Sequence, residues 1–127
     1  MGISDVQAVT ITADTVALDA DGISVATSVG NNAALVIGGA LASGGAVALS
    51  HGRIVTILSA GNDSGKSFTV VGTDINGAAQ TESITGANAG TATGAVFFLT
   101  IASITAVGNP AGNVSAGVNA SAADVVF

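Results

Sequence analysis

The stretch RIVTILSAGNDSGKSFTVVG, residues 53–72, decides how the chain is read. Its centre fits a permissive phosphate-loop pattern, Ala60 followed after four residues by Gly65, Lys66 and Ser67. A phosphate loop needs a strand that enters a glycine-rich turn opening a helix, because backbone N–H groups and the helix N-terminus hold the phosphates. The upstream half is present: Ile54, Val55, Thr56 and Ile57 form a β-branched run. The downstream half is not. Phe68, Thr69, Val70 and Val71 begin a second β-rich run where the helix should start. Strand, Gly61-Asn62-Asp63-Ser64-Gly65, strand predicts a hairpin. Asp63 is expected to close that turn through its side chain, with Lys66 solvated beside it. A parallel sheet would need a crossover helix for which this link has no room.

The same grammar runs outward along the chain. Period-two alternation and β-branched residues dominate, punctuated by Gly, Asn and Asp. Strands are expected near residues 6–12, 16–18, 23–27, 34–37, 46–49, 53–59, 67–71, 80–85, 95–105 and 113–118, with a short edge strand or arm at 124–127. Turns are marked by Asp21-Gly22, Asn76-Gly77 and Gly108-Asn109-Pro110. No segment carries a capped apolar stripe of helical period. The expectation is an all-β antiparallel β-sandwich, immunoglobulin-like or jelly-roll-like. Residues 1–50 are richer in Ala and Gly and read as an N-terminal arm or accessory β region. Residues 51–127 read as the sandwich core, the two forming one compact domain.

Composition narrows the function. Of 127 residues 49% are apolar but only 8% charged, against about 25% in ordinary soluble domains. The net charge is −6, with Arg53 and Lys66 the only cations besides the single His51. There is no basic patch to neutralise phosphates, so nucleic acid is not the expected partner. The acidity also argues against anionic membrane surfaces. Residues 33–49 are mostly apolar, but Gly38-Gly39 and Gly44-Gly45 interrupt them and no membrane span is expected. The N-terminus has no basic region before an apolar run, so it does not read as a secretory signal. With no Cys there is no disulfide, thiolate metal site or cysteine nucleophile.

Candidate chemistry is sparse. His51 has no carboxylates clustered near it in sequence, and a loop or contact role is expected for it. Asp19-Ala20-Asp21-Gly22 echoes part of a calcium loop but lacks the later acidic positions and closing Glu of an EF-hand. Asp14, Asp19 and Asp21 remain the candidates for weak cation binding. Asp74 is expected to do turn bonding. No catalytic residue, cofactor or defined metal site is expected.

The distribution of charge is more informative. Residues 22–50 and 83–123 carry none. Within the second stretch, one alternating face offers Phe97, Leu99 and Ile101, and the other offers Val96, Phe98 and Ile104. A half-exposed antiparallel strand should be polar on one face. Both faces here are apolar, so Val96, Phe97, Phe98, Leu99, Ile101 and Ile104 are the candidate subunit interface.

The run at residues 53–91, followed by FFLTIASITAVGNPAGNVSAGV at 97–118, resembles a family of small tailed-bacteriophage virion proteins of the cement or decoration kind. The telling pieces are Gly61-Asn62-Asp63-Ser64-Gly65, Gly72-Thr73-Asp74, Thr81-Glu82 and Asn88-Ala89-Gly90-Thr91. The resemblance implies a β-rich, non-enzymatic protein of the capsid exterior, made in the host cytoplasm. Its implied partner is the major capsid protein, which it clamps as a homotrimer. The alternative expectation is a tail, fibre or baseplate β-module serving assembly or receptor binding.

Overall fold

The computed structural model describes residues 19–119. The strands expected at 6–12, 16–18 and 124–127 lie outside them. Seven strands follow in order: β1 (Asp19–Ser28), β2 (Ala42–Ser43), β3 (Ala46–Ser59), β4 (Ser67–Thr73), β5 (Ala79–Thr85), β6 (Thr91–Val107) and β7 (Asn113–Val118). No helix occurs among the described residues. The fold is all-β and antiparallel, as the alternation predicts.

All strands belong to one hydrogen-bonded sheet in the order β1-β7-β3-β6-β4-β5, with β2 on β3. A sheet left flat would bury neither face. This one coils, because every long strand sends its inward side chains to one cluster: Ile23, Val47, Val55, Ile57, Phe68, Val70, Ile84, Phe98, Ile101, Ile104, Val114 and Val118 among them. In the hairpin of β4 and β5 the register is unbroken and pairs Phe68 with Ile84 and Val70 with Glu82. The inner face of β5 therefore carries Gln80, Glu82 and Ile84. β3 runs straight across the boundary expected at residue 50.

Two expectations about connections change. Residues 60–66 are not a hairpin, because β3 and β4 lie on opposite sides of β6. The link leaves β3 beside Thr91, at one end of β6, and enters β4 beside Val107, at the other; strand-turn-strand spelling alone carries no information about a strand inserted between. The turn is closed by Asn62, whose Oδ1 accepts from the Ser64 N–H and hydroxyl at 3.1 and 2.7 Å. The Asp63 side chain turns inward instead, where it is fully buried. Residues 34–37 form no strand; Ala34 makes a single bridge to Thr105, flanked by Leu35 N–H to Ile104 O and Ala106 N–H to Ala33 O. That segment continues the edge of β6 that β3 leaves after the Val47–Ile101 pair.

Bulges set the shape. From Ala48 to Arg53 β3 takes five steps while β6 takes two, from Thr100 to Phe98. From Phe97 to Thr93 β6 takes four steps against two on β3. A further residue, Ala102, is inserted between the Gly72–Ile101 and Val71–Ser103 pairs. Each insertion bends the strand, and those with an odd excess, at Ala48–Arg53 and at Ala102, change which parity faces inward, while the two-residue excess between Phe97 and Thr93 does not. At the other end, Asp19 and Ser24 pair with Val118 and Ala116, so the Asp21-Gly22 turn signal falls in a bulge inside β1. This bulge lies over Gly117, where a Cβ would collide with the Asp19 carbonyl and Ala20. The Ser115 hydroxyl donates to Ala20 O at 3.2 Å beside it. That is why β7 is small-residue-rich and buried on both faces.

Candidate assembly surface

The bulges correct the two-faced reading of β6. Phe98, Ile101 and Ile104 are fully buried in the chain's own core, although strict alternation would put Ile101 on the face opposite the other two. The inserted residue and the offset opposite β3 bring both parities inward. These three side chains have no surface left to give a subunit. Val96 and Leu99 are half-buried, and Phe97 stays 42% exposed. Of the six candidate interface residues, only Phe97 presents a large open face.

Phe97 does not stand alone. The β4–β5 turn brings Ile75, 63% exposed, to the same place. Asp74 shapes that turn: its Oδ1 accepts from the Asn76 and Ala78 N–H groups at 2.8 and 3.0 Å. Its backbone N–H donates to Ala78 O at 2.9 Å, and Gly77 supplies the positive φ of 82°. The base is tied by a Thr73–Thr100 hydroxyl pair at 2.7 Å. Gly52, in the β3 bulge, lies under both apolar side chains; a Cβ there would meet Ile75 Cγ2 and Phe97 Cβ. The result is an open groove of about 520 Å³ lined by Gly52, Asp74, Ile75, Gln80, Ala95, Val96 and Phe97.

One wall of the groove is main chain held by side chains. β4 pairs with β6 only from Thr100 onward, so residues 94–97 have no strand on that side. Gln80 Nε2 donates to Phe97 O at 2.6 Å, and Glu82 Oε2 accepts the Ala95 N–H. The Glu82 carboxylate fills the space a Cβ on Gly94 would need. Two inward-facing polar residues of β5 thus satisfy the β6 bulge in place of a neighbouring strand.

The remaining polar candidates lie elsewhere. His51 is half-buried in the β3 bulge, with Ser50 Oγ 3.3 Å from its Nδ1. Arg53 is 2% exposed and donates from Nη2 to Asn119 O at 2.7 Å. The Lys66 stem lies over Gly108. Asp19 folds over Gly22, Asp21 is exposed, and Asp14 lies outside the described residues. Among the described residues no three His, Asp or Glu side chains gather as metal ligands.

Sequence reasoning found Phe97 but missed the groove, because Gly52, Ile75 and Phe97 meet only through the coiling of the sheet. One signal was available: Ile75 is a large apolar residue at a hairpin tip, between Asp74 and Asn76-Gly77, where no core can use it. Compared with protein-family models, curated proteins and solved structures, the chain matches none.

Proposed function

We propose that the chain is a non-enzymatic structural protein of a tailed-phage virion, a cement or decoration protein that binds major capsid protein subunits on the outside of the shell. The observation that carries the reading is the Ile75–Phe97 groove, an apolar contact surface fixed by Gly52 and a braced turn on a weakly charged β-scaffold. Apolar side chains held open to solvent in this way mark interaction surfaces. The resemblance of residues 53–118 to virion proteins supports the same reading. A cement protein acts by mass action: it binds the assembled shell and not the dissociated subunits, and so shifts the equilibrium toward the shell. Many copies on one shell add multivalent strength, and the implied homotrimer would multiply the contacts of each unit.

The test is immunogold labelling of purified phage particles from the chain's own source with an antibody raised to the chain. Regular label over the heads is the expected result. Label confined to tails would transfer the chain to a tail or baseplate role, and unlabelled particles would contradict a virion function.

A further inference from the structure

The groove has a feature that an ordinary apolar patch lacks. Ala95 and Phe97 are two residues apart, so their main-chain groups point to the same edge of β6. The Ala95 N–H and Phe97 C=O are the donor and acceptor that an added strand would pair with, and they are held by the Glu82 and Gln80 side chains instead. Exposed Ile75 and Phe97 stand beside this edge, and Asp74 lies on its rim. We propose that the groove is a strand-acceptor site for an extended segment of a partner protein. That segment carries an aliphatic side chain for the Ile75–Phe97 cleft and a lysine or arginine for Asp74.

Each part of the occupant follows from one observation. A polypeptide is required because the edge offers alternating main-chain donor and acceptor, the recognition mode of strand addition. An added strand replaces both side-chain bonds with main-chain ones, and the Gln80 amide and Glu82 carboxylate must turn to water or to the strand's own polar groups. An aliphatic side chain is called for because Ile75 and Phe97, which close over Gly52, turn apolar surface to the groove. The positive charge follows from the net charge of −6. Of this chain's two cations, Arg53 is buried on Asn119 O and the Lys66 stem is laid on Gly108, away from the groove. A second copy would bring the same acidity to Asp74, whereas a basic partner is complementary. The inference deepens the assembly reading: it rests on that reading for the groove's being a contact surface and states what the partner must present.

The test is to pan the full-length chain against a random linear peptide display library at low salt. Enriched sequences should combine Val, Ile or Leu with a nearby Lys or Arg. A synthetic copy of the most enriched peptide should bind Phe97→Ser at least about tenfold more weakly, as expected for loss of a central apolar anchor. It should bind Asp74→Asn about threefold more weakly and with less salt dependence, since the asparagine keeps the turn-forming oxygen but not the charge. Val36→Ser, at a site 72% exposed and outside the groove lining, should bind unchanged. No enrichment, acidic winners, or equal binding by Phe97→Ser would overturn the proposal. So would self-association of the chain abolished by Phe97→Ser, which would give the groove to a second copy. Failure here with label still on phage heads removes only the groove assignment. Success with unlabelled particles removes only the virion reading.

Discussion

Asp63 Oδ1 accepts the Ala111 N–H at 2.7 Å, joining two connections 48 residues apart. Asp63 is fully buried, its N–H donates to Ala87 O, and its carbonyl accepts from Lys66 N–H. One residue thus gathers the β3–β4, β5–β6 and β6–β7 links, the last two of which flank opposite ends of β6. The aspartate that a phosphate-loop reading would place in a nucleotide turn is a structural clasp.

Asp63→Ala should therefore lower unfolding stability by about 1.5–3 kcal/mol, the range for losing a hydrogen bond to a charged group. Asp63→Asn keeps the oxygen that meets Ala111 and should cost less. Urea unfolding midpoints of the two variants check the order; an alanine variant as stable as the parent would remove the clasp.

Adjacent phenylalanines on β6 should behave differently. Phe98→Ala empties a fully buried site and should cost about 3–5 kcal/mol. Phe97→Ala removes a side chain that is 42% exposed and should cost about 1 kcal/mol or less. Equal losses in denaturant midpoint would mean that the bulges do not sort the two faces as described.

Two glycines give an opposite pair. Gly117→Ala places a methyl group against the Asp19 carbonyl under the β1 bulge and should cost about 3 kcal/mol or more. Gly65→Ala meets nothing and has an ordinary φ, so it should be neutral or stabilise by about 0.4–1 kcal/mol. Calorimetric melting temperatures separate these outcomes.

The same Gly65 belongs to the phosphate-loop pattern, whose glycine could not be replaced so freely. No thermal shift is expected on adding ATP, and none that Lys66→Ala would remove. An ATP-dependent shift lost in Lys66→Ala would revive the nucleotide reading.

The strands were largely legible because alternation and turn residues are local. Residues 113–118 coincide with β7, and 80–85 fall within β5. What failed was non-local. Gly61-Asn62-Asp63-Ser64-Gly65 spells a turn, but nothing in it says that β6 will lie between the strands it joins. Phe98, Ile101 and Ile104 look like two faces until the insertions opposite β3 and β4 shift their parity. The groove was half legible: Phe97 stood out as apolar surplus, while Gly52 and Ile75 acquire meaning only when the coil brings them beneath and beside it.

In the proposed cement role the chain acts through the Ile75–Phe97 surface. Co-sedimentation with emptied heads of its own phage tests it most directly. The account predicts saturable pelleting with intact heads, none with dissociated capsid subunits, and loss of pelleting for Phe97→Ser at unchanged fold. Absence of binding to heads, or equal binding by Phe97→Ser, would contradict it.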